Sequence, residues 1–314
     1  MDIPLLLTTL GLSFLLHFGI QKIFIYYKKF DNFNHRSSHK TLATRTGGIG
    51  IFTALLLISL FYYFQGIELF DYSLFIPLGI MFIVGVYDDF YNADFKLKFF
   101  LQIIVAKILI DQGYVISNYY GLFGLHEVPW LLAQLSTVFV FLVVINAINF
   151  IDGIDGLALT EVIKTIVLIE FFTRSQTALN PLLTLLILSL LPLYYFNFKK
   201  KRKVFLGDAG SLLLGTIVSI YIFYILGPEY SFKEGFQINK TLFAVLVILY
   251  PLVDLFRIFF LRIKDGKSPF EADQNHIHHY VNNKFKKSFL SLIFLETIIS
   301  TIVLVLLAIS VINS

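Results

Sequence analysis

The sequence predicts an all-α polytopic membrane protein of about ten transmembrane helices, and three observations predict it. Hydrophobic residues make up 57% of the 314 and charged residues only 15%, with a mean hydropathy of +0.78; soluble domains carry about 25% charge. Apolar runs close to the roughly 17–25 residues that cross a bilayer core recur along the chain. Lysine and arginine collect in alternate loops between those runs, the pattern that sets orientation in a membrane. No cysteine is present, so neither a disulfide nor a thiolate contributes to structure or chemistry.

Taken in order, the candidate spans lie near 3–27, 47–64, 73–87, 99–117, 130–149, 157–173, 179–197, 209–226, 241–261 and 288–311. The first opens without a basic leader or a small-residue cleavage pattern, so it is expected to be retained. The third is short and the fourth contains Asp111, which softens their boundaries. Of the nine loops between spans, the odd ones carry five, two, none, five and six lysines or arginines, whereas the even ones carry only Arg174, Lys233 and Lys240. Odd loops therefore face the cytoplasm and both termini face out. Asp88, Asp89, Asp94, Asp152, Asp155, Asp208, Asp265, Glu271 and Asp273 fall on the cytoplasmic side, with His276, His278 and His279. No repeat or linker divides the chain, so residues 1–314 are expected to form a single membrane domain.

Four cytoplasmic stretches carry residues suited to chemistry. "VGVYDDFYNADFKLKFFLQ", 84–102, places adjacent carboxylates at the end of a span; such a pair favours a nearby cation or a shared proton, or is simply solvated. In "NAINFIDGIDGLALT", 146–160, steps of three would keep Asn149, Asp152 and Asp155 on one helical face, with Gly153 and Gly156 allowing close approach. Ile151, Ile154 and Leu157 would line a neighbouring apolar face. Capping of the next helix by Asp155 is the plainer reading.

"KKKRKVFLGDAGSLLLG", 199–215, joins a basic run to Asp208 among small residues. The run reads first as an orientation signal attracted to anionic lipid. Asp208 has room for a hydrated cation beside a helix N-terminus whose amides favour phosphate, or it caps a span beginning near Ser211. "SPFEADQNHIHHYVNNKFKK", 268–287, clusters three histidines whose spacing does not match a helical zinc pair. Oxygen-ligated Mg²⁺ suits a chain rich in carboxylates and free of cysteine better than zinc does, and the histidines then read as donors to phosphate. Together the four loops could build a Mg²⁺-dependent diphosphate site at the membrane surface.

At "HRSSHKTLATRTGGIGIF", "YDDF" with "KFFLQ", "NAINFIDGIDGLA", "FLGDAGSLLLG" and "HIHH", in that order over nearly the whole chain, the sequence resembles the bacterial polyprenyl-phosphate N-acetylhexosamine-1-phosphate transferases. The resemblance implies catalytic cytoplasmic loops and attack of undecaprenyl phosphate on the β-phosphorus of a UDP-N-acetylhexosamine, releasing UMP and starting a cell-envelope polysaccharide such as O-antigen. It implies Asp88, Asp89 and Asp208 as catalytic residues, Asp208 and Asn149 as ligands of Mg²⁺ or Mn²⁺, and Lys98, Asn149, Asp152, Asp155, His276, His278 and His279 as substrate contacts. A bacterial inner-membrane location and a homodimer complete the expectation. "DQNHIHH" in place of three consecutive histidines points to the N-acetylglucosamine branch, while the very basic "KKKRKV" segment departs from the usual lead-in and leaves Asn197 without a role.

A transporter with a cytoplasmic acidic site is the main alternative, kept open by the charged residues Lys107, Lys164, Asp254, Arg257 and Glu296 inside spans. A scaffold gives no reason for acids and histidines in four loops on one side. A CDP-alcohol phosphotransferase would need further spaced acids after "DGIDGLA", where "LTEVIKTIV" stands.

Overall fold

The computed structural model describes residues 3–31, 42–122, 124–268 and 275–312. All ten expected spans are helical within it: α1 (Ile3–Tyr26), α2 (Gly47–Tyr63), α3 (Phe75–Tyr91), α4 (Phe95–Asp111), α5 (Trp130–Phe150), α6 (Leu157–Phe172), α7 (Asn180–Asn197), α8 (Gly207–Leu226), the bent pair α9 (Lys240–Val247) and α10 (Leu249–Lys264), and, after the short α11 (Ile277–Phe285), α12 (Ser288–Ile312). Among the described residues six helices are long and apolar enough to cross a bilayer, seven if the bent pair counts as one. The difference from ten is one of length, and in α4 and α6 also of charge, with Lys96, Lys98, Lys107 and Asp111 in the one and Glu161, Lys164 and Glu170 in the other. α2, α4 and α6 have 17, 17 and 16 residues, and at 1.5 Å per residue such helices reach about 25 Å, short of a core about 30 Å thick. Arg36, Lys40, Glu271 and Asp273 lie outside the described residues, as does all of "HRSSHK".

The chain divides into two compact units, Met1–Asp94 with Ala178–Leu213, and Phe95–Thr177 with Leu214–Ser314. In the first, α1 packs on α7 and α2, and α2 on α3. Pro192 inside α7 cannot donate to the helix ladder. One residue along from the acceptor it leaves, the Ser189 carbonyl accepts from Ser13 Oγ at 3.0 Å and meets His17 Nε2 at 3.2 Å, tying α1 to α7. The segments entering α2 and α8 pair as parallel strands β1 (Ala43–Thr44) and β4 (Lys203–Val204). The pairing continues as Gly47 and Gly48 N–H groups donate to the carbonyls of Phe205 and Leu206, both at 2.9 Å. A Cβ on Gly48 would lie 2.1 Å from Gly210 N, and one on Gly85 would lie 2.4 Å from Ala209 Cα. Small residues are what let the backbones of α2, α3 and α8 meet here.

In the second unit, α5 packs on α4 and α10, and a hairpin of β2 (Asn118–Leu122) and β3 (Leu125–Glu127) sits against α9. Asn239 caps α9 through Thr241 and Leu242 N–H, and its amide donates to the Tyr120 carbonyl at 2.6 Å. The amide pair Gln102–Asn146, 2.9 Å, joins α4 to α5. Between α9 and α10 the axis turns by 75°. Pro251 accounts for it: the ring conflicts with the carbonyl four residues back, Val247, and supplies no N–H. Thr165 Oγ1 of α6 donates to that carbonyl at 2.8 Å, so the break leaves no orphan acceptor there.

Candidate active site

In the first unit three sequence motifs meet at the start of α8. α3 ends at Asn92, which is left-handed at φ 51°, and the Ala93 N–H donates to Asp88 Oδ1 at 2.8 Å. Asp89 reaches across: its Oδ1 accepts from Asp208 N–H and its Oδ2 from Ala209 N–H, both at 3.0 Å. A helix start leaves its first amides without internal partners, and a carboxylate there is favoured by both hydrogen bonding and the helix dipole. Asp89 therefore supplies from another helix the cap that α8 lacks in its own sequence. Gly207 makes the approach feasible. Its φ of 73° suits glycine, and a Cβ would sit 2.6 Å from Asp89 Oδ2.

Arg45, on the short link between β1 and α2, completes the cluster with Nη2 2.8 Å from Asp31 and Nη1 3.5 Å from Asp89. Burial works against its charge, but Asp31, Asp89 and Asp208 outweigh it and hold the guanidinium pKa above the ordinary arginine value.

These contacts correct two expectations. Two of the α8 amides expected to face phosphate are taken by Asp89, and Asp208 lies in the first turn of α8 rather than capping a helix that begins near Ser211. The donors around Arg45 are nevertheless all oxygens, from Asp31, Asp89 and Asp208, with no thiolate, which is the ligand chemistry a hard divalent cation prefers. Both oxygens of Asp89 already accept backbone N–H groups.

The second unit gathers the other motifs. Asn149 sits in the last turn of α5, but the helix stops at Ile151 and α6 starts only after Gly156, left-handed at φ 81°. Asp152 and Asp155 thus lie on a glycine-punctuated connector, not on a continuous helical face with Asn149, and Gly156 rather than Asp155 takes the capping position. The apolar half of the expectation holds, since Ile151, Ile154 and Leu157 are all buried. Lys98 lies in the first turn of α4 in the same unit. The expected ligand pair Asp208 and Asn149 is divided between the units.

The connector meets the histidines. A Cβ on Gly153 would lie 2.0 Å from His278 Nε2, and the Phe150 ring stands edge-on to His276 with centroids 5.5 Å apart. His276 and His278 stack at 5.3 Å, and His279 lies 4.3 Å from His278. His278 is fully buried with neither ring nitrogen hydrogen-bonded. Burial, helped by the neighbouring histidines His279 and His276, pushes its pKa well below the usual histidine value, so the ring is neutral near pH 7. His276 Nδ1 is 2.6 Å from Asp254 Oδ2.

Sequence reasoning missed Arg45 and Asp254 as functional residues. Arg45 sits inside a quoted motif without a distinguishing pattern. Asp254 did carry a signal, being an acid three residues before Arg257 in an otherwise apolar run, the kind of intramembrane charge that marks function by default. One grouping of His and acidic side chains within reach of a common ion is found among the described residues, Asp254, His276 and His278, with ligand atoms within 4.8 Å of one another. Both Asp254 oxygens are already acceptors, from His276 and from the Ile277 N–H at 2.9 Å. The group is consequently a hydrogen-bonded assembly before it is an ion cage.

Comparison with known proteins follows the same motifs. A family profile described as "Glycosyl transferase family 4" matches residues 71–226. The chain is similar to the undecaprenyl-phosphate alpha-N-acetylglucosaminyl 1-phosphate transferase of Pasteurella multocida, 30% identical over 293 residues, covering 87% of this chain and 77% of the relative. The proteins of that name from Haemophilus influenzae, 29% identical over 87% of this chain and 78% of theirs, and Salmonella typhi, 28% over 84% and 72%, are comparable.

Proposed function

This chain belongs to glycosyl transferase family 4, together with the undecaprenyl-phosphate α-N-acetylglucosaminyl 1-phosphate transferases, and from that premise we propose that it transfers N-acetylglucosamine 1-phosphate from UDP-N-acetylglucosamine to undecaprenyl phosphate. The observation that carries the reading is the meeting of Arg45, Asp89 and Asp208 from three distant segments at the start of α8. In the reaction an ionised oxygen of the polyprenyl phosphate forms a bond to the β-phosphorus, the bond from that phosphorus to the bridging oxygen breaks, and the electron pair leaves with UMP.

A phosphate monoester whose second pKa is about 6 is already largely ionised at neutral pH, so Asp88 need not remove a proton. Asp89 is a poor nucleophile, because both its oxygens accept N–H groups and Arg45 is nearby; direct displacement is accordingly the reading we adopt. Mg²⁺, or Mn²⁺ in its place, would spread the charge that builds on the diphosphate oxygens. Asp88 and Asp208 would hold that ion. Lys98, Asp152, Asp155 and the three histidines would orient the nucleotide sugar. Ten crossings, both termini outside, the site on the cytoplasmic face of a bacterial inner membrane and a homodimer complete the proposal.

The transporter alternative is not favoured, since the named activity of the relatives is transfer. Purified protein with Mg²⁺, undecaprenyl phosphate and a panel of UDP-sugars tests the proposal. UMP should appear with UDP-N-acetylglucosamine and with removal of divalent ion should stop. No UMP from any sugar would reject it.

A further inference from the structure

Asp254 of α10 is fully buried, with a relative exposure of 0%, and is one of the intramembrane charges that kept the transporter alternative open. Its two oxygens do different things. Oδ1 accepts from the Ile277 N–H at 2.9 Å, which caps the start of α11; Oδ2 meets His276 Nδ1 at 2.6 Å. One turn along the same face, Arg257 Nη1 donates to the Asn275 carbonyl at 2.6 Å and stacks over Tyr280. The segment that carries the histidines is thus fastened to α10 on both sides of His276.

A carboxylate accepting the Ile277 N–H through one oxygen can accept from Nδ1 through the other, the arrangement that puts the hydrogen between Oδ2 and Nδ1 on the histidine. Such a partner decides the tautomer and orientation of a ring and hence which nitrogen is left for a ligand. Phe150 against the ring edge and His278 stacked on its face remove the remaining freedom to flip. Resting on the transfer reading above, we propose that Asp254 is a positioning residue of the reaction: it holds His276 by Nδ1 and leaves Nε2 as the ring nitrogen that meets an oxygen of the nucleotide sugar. When the ring is protonated, Nε2–H donates to a phosphate oxygen while Asp254 balances the charge behind it. When it is neutral, Nε2 accepts from a hydroxyl.

Asp254→Asn distinguishes this role from a purely structural one. The amide oxygen can still cap Ile277, but its NH₂ then faces Nδ1 and can only donate, which forces the neutral ring into the opposite tautomer. Nitrogen NMR on full-length protein carrying ¹⁵N-histidine in nanodiscs, with His276→Gln for assignment, should find hydrogen on Nδ1 of His276 in the wild type and on Nε2 alone in Asp254→Asn. UMP release by Asp254→Asn should fall by at least about a hundredfold through kcat, as when a histidine's carboxylate partner becomes an amide, with the thermal midpoint little changed. A wild-type His276 lacking hydrogen on Nδ1, or an Asp254→Asn protein with unaltered turnover, overturns the proposal. If wild-type protein released no UMP at all, the transfer reading would fall while the nitrogen spectrum still decided how the ring is held.

Discussion

Asp208 and Asp89 are neighbours at one helix start, where Asp89 accepts from two backbone amides. Exchanging each for its amide should separate ligand holding from scaffolding. Asp208→Asn is expected to lower UMP release by at least about a hundredfold, the scale of losing one charge-stabilising group, with normal membrane insertion and thermal midpoint; retained turnover at ordinary Mg²⁺ would refute its role. His278 supplies a pH prediction. Its folded pKa lies well below the ordinary value of about 6.5 because the ring is buried. The unfolded chain therefore binds the proton first, and the contribution of His278 is complete above pH 6.5 and is lost as pH falls below it. Thermal midpoints should drop on that acid side, and His278→Gln should show a flatter profile there.

At the scale of the helices, close approach depends on residues with no side chain to give way. Gly48→Ala would place a methyl 2.1 Å from a backbone nitrogen of α8, and neither backbone can yield without moving β1 and β4. The cost should exceed the roughly 1–3 kcal/mol of ordinary overpacking, read as a lowered midpoint with lost UMP release. α6 and α12 are joined differently. Lys164 Nζ lies 2.6 Å from Glu161 Oε1 and 3.1 Å from Glu296 Oε2, one cation between two acids. Removing the lysine strands the buried Glu161 and the part-buried Glu296, so Lys164→Met should destabilise by about 3–5 kcal/mol; adding Glu161→Gln and Glu296→Gln should recover part of the loss, as measured by thermal unfolding in detergent. Helices of this kind were legible from hydropathy alone. The α9–α10 bend was visible only as Pro251 within an apolar run, and the two-residue strands β1 and β4 are too short to show any periodicity.

For the whole molecule, the proposed orientation is testable because the chain has no cysteine to replace. A single cysteine at His126 should react with an impermeant thiol reagent in intact cells, and one at Lys200 only after the membrane is opened; the reverse would invert the topology. The motifs offered candidate site residues, but not how they are shared: Asp88, Asp89 and Asp208 fall in one unit and the Asn149 and histidine groups in the other. Sequence order could not reveal that, because each unit is assembled from segments that interrupt the other. Hydropathy also hides a distinction between helices of similar oiliness. Of the most apolar eighteen residues of α8, 94% are buried, against 22% in α1 and 28% in α12. Random apolar libraries confined to the exposed positions of α1 and α12, sparing Ser13, His17 and Glu296, should therefore leave function intact under almost any mixture of leucine, valine and phenylalanine, whereas α8 should accept only variants that preserve volume and shape at nearly every position.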